Sequence, residues 1–239
     1  MYDRFDFNPD IIKKIYFFEL KYALRENSLK ILFFLPIIII LMLLMVGEFE
    51  HLVFGINEFY ILVGIFLFDS ELFINQFSTI KGELRFFRFF STPVINLIMA
   101  KNIFAFTFVL FQCLVVNIIL LVFNLTQINI LEKALIYFAI TFPVLSGIGN
   151  ILSILMPRGY IEGRKRETIL SSIIIPLMTI LLSSVPYRLF QLLTACLQTW
   201  LKTCIALLFI LLSFSVYYAS LIKCADSLNK NIFSLLQKL

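Results

Sequence analysis

Carboxylate and amide side chains interrupt an otherwise apolar stretch that runs from about Phe54 to Phe77. They include Asp69, Glu71 and Asn75. A carboxylate at membrane depth costs about 2.5–3.5 kcal/mol on insertion scales, so each is expected to face protein or water. Two interpretations follow. These side chains form the polar wall of a pathway or a salt-bridge relay, or the apolar segment ends earlier and they lie at the membrane interface.

A basic and aromatic stretch follows, for which we predict a short helix over residues 80–92. At 100° per residue, Lys81, Arg85 and Arg88 share one stripe. Glu83 lies on the aromatic side, where a carboxylate is costly without a partner. The aromatic residues that cover most of the remaining surface are Phe86, Phe87, Phe89 and Phe90. The pattern is typical of an amphipathic helix at a membrane surface, with its basic face toward the cytosol.

Motifs for catalysis or cofactor binding are missing from the sequence. There is no G-x-x-x-x-G-K-S/T loop, no G-x-G-x-x-G and no H-E-x-x-H. The four cysteines have no metal-ligand spacing, and we interpret them as small apolar residues within spans. The one histidine, His51, is interpreted as a solvated loop residue, with a pH sensor or a metal ligand as the alternative. We therefore predict no catalytic residue, no metal site and no cofactor bound by this chain.

Composition indicates an integral membrane protein. The chain has 239 residues, of which 61% are hydrophobic and 15% charged, and its mean hydropathy is +0.97. Soluble domains are about 45–50% apolar and about 25% charged. We predict an all-α membrane protein with a six-span transmembrane domain over residues 31–222. The predicted spans cover about 31–46, 54–77, 94–123, 134–155, 169–184 and 202–221.

The segments outside the spans are also assigned from local signals. Residues 1–30 are predicted to hold an amphipathic helix in the interface, because Asn8, Pro9 and Asp10 form a good helix start. Its basic stripe consists of Lys14, Lys21 and Arg25. Residues 185–200 are predicted as short helices that dip into the outer leaflet. The remaining segments are a second inner loop over 156–168 and a basic tail over 223–239.

Basic residues predict the orientation. Seventeen Lys and Arg residues lie in the N-terminal segment, the two charged loops and the tail, against three in the alternate loops. The positive-inside rule then puts both termini in the cytoplasm of a cell that carries the chain in its inner (plasma) membrane. The same distribution explains the net charge of +5 without nucleic acid, because these residues face lipid head groups.

Several motifs resemble those of a transporter family. Asn75-Gln-Phe, Glu83, Arg88-Phe-Phe-Ser-Thr-Pro93 and Ala100-Lys101-Asn102 are similar to the loop after the second span in permease subunits of type 2 ABC exporters. Gly149-Asn150-Ile-Leu-Ser153, followed by Met156-Pro157-Arg158, resembles the end of the fourth span in the same class. The resemblance covers the six-span layout. It departs from the family pattern at Gly159-Tyr-Ile-Glu162.

The resemblance implies a division of labour between chains. Residues 80–92 would be a coupling helix that docks in a groove of a separate cytosolic ATPase, which would hold ATP and Mg²⁺, and residues 1–30 would be the connecting helix. Two permease chains, identical or paralogous, would form the pathway, and ATP-driven closure of the ATPases would switch its access. The cargo class left open is a hydrophobic peptide, drug or lipid-like molecule.

Roles for individual residues follow from this assignment. The residues expected to dock the ATPase are Glu83, Arg85, Phe86, Phe87, Arg88, Arg158 and Arg164. Glu83 has an alternative role, in which it pairs with Lys21 or Arg25 of the N-terminal helix. The polar residues expected along the pathway are Asp69, Glu71, Asn75 and Asn150.

Two other functions fit the same sequence. A non-transport membrane protein, such as an immunity or assembly factor that binds a partner, would use the same basic and aromatic loops. An ion-coupled secondary transporter would need an ion site, for which Asp69 and Glu71 are the available carboxylates.

Overall fold

The fold is built from long helices. The computed structural model describes residues 7–25, 27–45, 64–66, 69, 94–122, 128–155, 160–161, 164–165 and 169–238. The helices are α1 (Pro9–Arg25), α2 (Asn27–Met45), α3 (Val94–Val122), α4 (Ile128–Leu155), α5 (Ile169–Thr194) and α6 (Thr199–Lys238). Two-residue strands β1 (Tyr160–Ile161) and β2 (Arg164–Lys165) pair antiparallel between α4 and α5.

The predicted N-terminal helix is present as α1. The Asn8 side-chain oxygen accepts hydrogen bonds from the backbone N–H groups of Asp10 (3.1 Å) and Ile11 (3.2 Å), so Asn8 is the N-cap. Buried positions recur every four residues at Ile15, Glu19 and Ala23. This spacing makes one stripe that faces the protein.

Four helices in the described part of the chain are long and apolar enough to cross a membrane. They include Val94–Val122, Glu132–Leu152, Leu177–Thr194 and Thr199–Ser227, and a shorter apolar stretch covers Leu29–Ile39. The described residues are thus almost entirely helical, and these helices are compatible with the predicted all-α membrane protein. The six-span count stays a prediction, because most of the predicted second span lies outside them.

Residues 185–194 differ from the prediction of separate short helices. They are the last turns of α5, which continues through Pro186 and ends at Thr194. Pro186 has no N–H to bond to the preceding turn, but Tyr187 and Phe190 beyond it are buried in the core. Tyr187 packs edge-on against Tyr137 with ring centroids 4.9 Å apart. Tertiary packing therefore holds the helix together past the proline, and α6 likewise extends helically through most of the predicted tail.

The main core lies between α3 and α4. Val109, Val116, Tyr137 and Ile140 are fully buried there, and parts of α5 and α6 pack against them. A second cluster joins the start of α3 to the far part of α6, where Ile95 and Ile98 meet residues that include Leu221, Cys224 and Ala225. The start of α3 therefore lies at the same end of the molecule as residues 221–225 of α6.

Candidate functional site

The junction of α1 with the start of α3 contains a buried ion pair. The Lys101 ammonium lies 2.9 Å from a carboxylate oxygen of Glu19, and the two side chains are only 8% and 11% exposed. Around this pair, Ile15 packs with Leu97 and Ala100. Removing one partner of a buried pair costs about 3–5 kcal/mol because it strands a buried charge. The pair therefore ties the N-terminal helix to α3.

Two hydrogen bonds flank the ion pair along α3. The backbone N–H of Asn8 donates to the side-chain oxygen of Asn96 at 3.2 Å. The hydroxyls of Tyr16 and Thr107 lie 3.3 Å apart on the other side. Contacts at Asn96, Lys101 and Thr107 span about three turns of α3, since a turn is 3.6 residues. Helix α1 is consequently held at three points and cannot slide along α3 without breaking polar contacts.

The same end of α3 is linked to α6, and α6 in turn to α4. The Asn102 side-chain amide donates to the Tyr217 hydroxyl at 3.0 Å. The Cys224 thiol donates to the backbone carbonyl of Asn150, near the end of α4, at 3.6 Å. A displacement at the start of α3 would therefore reach α1, α6 and, through α6, α4.

The predicted docking residues fall mostly outside the described residues. This applies to Glu83, Arg85, Phe86, Phe87, Arg88 and Arg158, and their roles stay predictions. Arg164 belongs to strand β2, where it pairs with Ile161. Lys21 and Arg25 are exposed on α1. Their proposed pairing with Glu83 is untested, since Glu83 is not among the described residues.

Two of the predicted pathway residues are buried. Asp69 has no solvent exposure, and its backbone N–H continues the helical segment 64–66 by donating to Ile65 at 3.0 Å. Among the described residues, none forms a hydrogen bond with its carboxyl oxygens. Asn150 is also fully buried. Glu71 and Asn75 lie outside the described residues, so the structure does not bring this predicted set together.

The segment that carries Asp69 packs against α4. Phe66 is fully buried, and its ring centroid lies 5.7 Å from that of Tyr137 and 5.9 Å from that of Phe138. These contacts fix Asp69 within the helix assembly, as expected for a carboxyl group that lipid would not tolerate. Whether it borders a pathway stays a prediction.

The Glu19–Lys101 pair was not predicted from the sequence, although both residues carried a signal. Glu19 lies between Ile15 and Ala23 on the apolar stripe of α1, opposite the basic stripe. Lys101 is the one charged residue in the sequence of α3. A lone carboxylate and a lone ammonium, each on an apolar face, require partners.

No group of three or more histidine, cysteine or acidic side chains that could hold a metal ion occurs in the part of the chain that the structure describes. Comparison with protein-family models, with curated proteins and with solved structures gives no match to this chain. The likeness to exporter permeases therefore rests on the motifs and the span order alone.

Proposed function

We propose that this chain is the membrane-spanning subunit of an ATP-driven ABC exporter. It forms the substrate pathway with a second permease chain, identical or paralogous, in the plasma membrane of a bacterium. A separate cytosolic ATPase binds ATP and Mg²⁺ and docks on residues 80–92. The chain itself is not an enzyme. Its cargo is a hydrophobic peptide, drug or lipid-like molecule.

The proposal rests on the ion pair and hydrogen bonds that hold α1 against the first turns of α3. Helix α3 begins at Val94, directly after the basic and aromatic stretch 80–92. The buried Glu19–Lys101 pair lies two turns further along α3. A load applied to residues 80–92 by an ATPase would therefore pass into both helices together. A coupling device needs such a rigid connection, because a loose loop would absorb the motion.

The contacts of α3 with α6, and of α6 with α4, support transmission of such a load to the pathway. Asn102 bonds Tyr217 of α6, whose Cys224 bonds α4 at Asn150. A rigid-body shift at the start of α3 would thus move helices that carry the proposed pathway residues. Small shifts become discrete changes when packed helices have two stable arrangements. Asp69, Glu71, Asn75 and Asn150 would line the polar part of the pathway between them.

Co-purification tests the proposal directly. The tagged chain is purified from its native membrane in mild detergent, and bound proteins are identified by mass spectrometry. We expect a soluble ATPase with a Walker loop in stoichiometric amount. Arg85→Glu combined with Arg88→Glu should remove at least about nine-tenths of it, because like charges across an interface cost several kcal/mol.

The matched control reverses two charges at the opposite end of the helices. Arg188→Glu with Lys202→Glu alters exposed residues near the turn between α5 and α6 and should retain the ATPase. Wild-type protein that purifies without an ATPase would overturn the proposal. Full retention by the Arg85/Arg88 variant would contradict docking at residues 80–92.

A further inference from the structure

A groove opens where α1 and α2 diverge over α3. Its volume is ≈ 440 Å³, which lies in the range of small-molecule sites. The floor is formed by Phe104 and Phe108 of α3, and the walls by Leu20 of α1 and Phe33 of α2. Phe33 packs edge-on against Phe108 at a centroid distance of 5.2 Å. The groove is therefore built from ring contacts between helices and not from a loop.

The rim of the groove is apolar and exposed. Leu24, Phe34 and Phe111 line it and are 65%, 53% and 58% exposed. Phe34 and Phe111 belong to the apolar helices α2 and α3, so the groove opens toward the surface that lipid would cover. Such a rim favours a hydrocarbon chain over a water-soluble ligand.

The polar groups that line the groove differ in how available they are to a ligand. The hydroxyls of Tyr16 and Thr107 face each other at 3.3 Å, and Thr107 also donates to the carbonyl of Phe104 at 3.0 Å. Lys30 is exposed and is the only charged side chain among the described residues that line the groove. It lies in the first turn of α2, where the chain passes from the interfacial helix α1 to the apolar helix. An ammonium group at this boundary complements an anionic lipid head group.

We propose that this groove binds one acyl chain of an anionic membrane phospholipid, with its phosphate at Lys30. The acyl chain packs against the exposed aromatic rim, and each methylene that it buries there stabilises binding. A lipid in this position bridges α1, α2 and α3. The inference does not depend on the export function, because it rests on the groove and its charge alone.

Fluorescence quenching tests the site, because the chain contains a single tryptophan, Trp200. In a Trp200→Phe background, Phe111→Trp puts the reporter at the rim of the groove. The protein is reconstituted into phosphatidylcholine vesicles that contain increasing fractions of phosphatidylglycerol, with brominated acyl chains on one lipid at a time. We expect phosphatidylglycerol to associate about fivefold more strongly than phosphatidylcholine at this reporter, the effect of one cation near a membrane surface.

Two controls separate the groove from general lipid contact. Phe214→Trp in the same background reports from an exposed position on α6 and should be quenched equally by both lipids. Lys30→Gln should abolish the preference at the Phe111→Trp reporter, whereas Lys202→Gln, at an exposed lysine of α6, should preserve it. Equal quenching by the two lipids at the groove, or a preference that survives Lys30→Gln, would overturn the proposal.

A third variant tests whether the lipid acyl chain enters the groove. Ala23→Leu adds bulk to a residue that lines it and should weaken quenching by both brominated lipids. Unchanged quenching in the folded variant would contradict occupancy of the groove. Lys30→Gln alters an exposed side chain and keeps the test decisive if Ala23→Leu does not fold.

Discussion

Glu19 and Lys101 each occupy a position that an apolar residue would fill at lower cost. Both side chains are about nine-tenths buried, and their charged atoms lie 2.9 Å apart. Desolvation of two ions offsets much of their attraction, so the pair adds little net stability compared with a well-packed apolar pair. The pair instead fixes the position of α1 relative to α3, because a shift of either helix would leave both buried charges unpaired. This is the property that a transmitting contact between α1 and α3 needs.

Breaking one side of the pair is expected to destabilise the fold strongly. Glu19→Gln keeps the shape of the side chain but deprives the Lys101 ammonium of its carboxylate. We expect a loss of about 3–5 kcal/mol in unfolding free energy. At about 2–4 °C per kcal/mol, the midpoint of thermal unfolding in detergent should fall by roughly 10 °C.

The control for this prediction removes both charges. Glu19→Leu with Lys101→Met should restore most of the lost stability, because no buried charge is left behind. Lys14→Gln, on the exposed side of α1, should change the unfolding free energy by less than about 0.5 kcal/mol. A double variant as unstable as Glu19→Gln would contradict this account of the pair.

The sequence predicts the faces of helices better than it predicts their neighbours. Asn8 marked the start of α1, and its capping bonds are present. The charge on Lys101 was visible within an apolar run, but its partner lies on a distant helix and nothing local selects it. Residues 80–92 carry most of the predicted docking site and lie outside the described residues. That part of the site therefore stays a prediction from residue pattern alone.

At the scale of helices, α4 and α6 approach closely at Gly147. A Cβ added there would lie 2.7 Å from the Ser220 side-chain oxygen and 3.2 Å from the Tyr217 Cα. Ser220 is itself held by a 2.6 Å hydrogen bond to the Tyr217 carbonyl. Small residues at such crossings let helix backbones pack closely in membranes. Gly147 lies within the predicted fourth span, but nothing in the local sequence identifies α6 as its partner.

Alanine substitution should separate this crossing from an open helical position. Gly147→Ala forces α4 away from α6, and we expect a net loss of about 1–2 kcal/mol in unfolding free energy from overpacking. Among the described residues, no atom lies within 4 Å of a Cβ added at Gly64. Gly64→Ala should therefore gain up to about 1 kcal/mol from helix propensity. Thermal unfolding of both variants in one detergent measures the contrast, and equal gains would refute the close crossing.

Helix ends were predicted well where composition changes sharply and poorly where packing decides. Helix α3 begins at Val94, where the third predicted span begins. The fifth span was predicted to end at Ser184, two residues before Pro186, whereas α5 runs to Thr194. It continues because Phe190, beyond the proline, packs against Phe209 of α6 with ring centroids 5.9 Å apart. Proline's local preference is visible in the sequence, whereas this contact becomes visible only in the fold.

For the whole molecule, contacts gather four helix segments at one end. The start of α3, the first half of α1, the end of α4 and residues 221–225 of α6 meet through Ile15, Ile95, Asn150 and Cys224. The turn between α5 and α6 belongs to the opposite end, since α6 runs from that turn toward residues 221–225. If the ion-paired Lys101 is left out, sixteen basic residues lie in the N-terminal segment, the two charged loops and the tail, against three in the alternate loops. The gathered end is therefore the one that the positive-inside rule assigns to the cytosol.

The native cysteines allow this orientation to be tested. Cys196 is exposed in the turn between α5 and α6, while Cys113 and Cys224 are buried. A membrane-impermeant maleimide added to intact cells, or to spheroplasts if the cell has an outer membrane, should label the chain at Cys196, because a thiol must be exposed to water to react. Cys204 is exposed on α6, and Cys196→Ser should abolish most of the signal if α6 enters the membrane before that residue.

The opposite face supplies the control for orientation. Lys13→Cys in a Cys196→Ser and Cys204→Ser background puts one exposed thiol on α1. It should react only after the membrane is permeabilised, since α1 is assigned to the cytosolic end. Labelling of Lys13→Cys in intact cells, with Cys196 of the wild-type chain silent until permeabilisation, would invert the topology. That result would also remove residues 80–92 from the reach of a cytosolic ATPase, because α3 begins at the same end as α1.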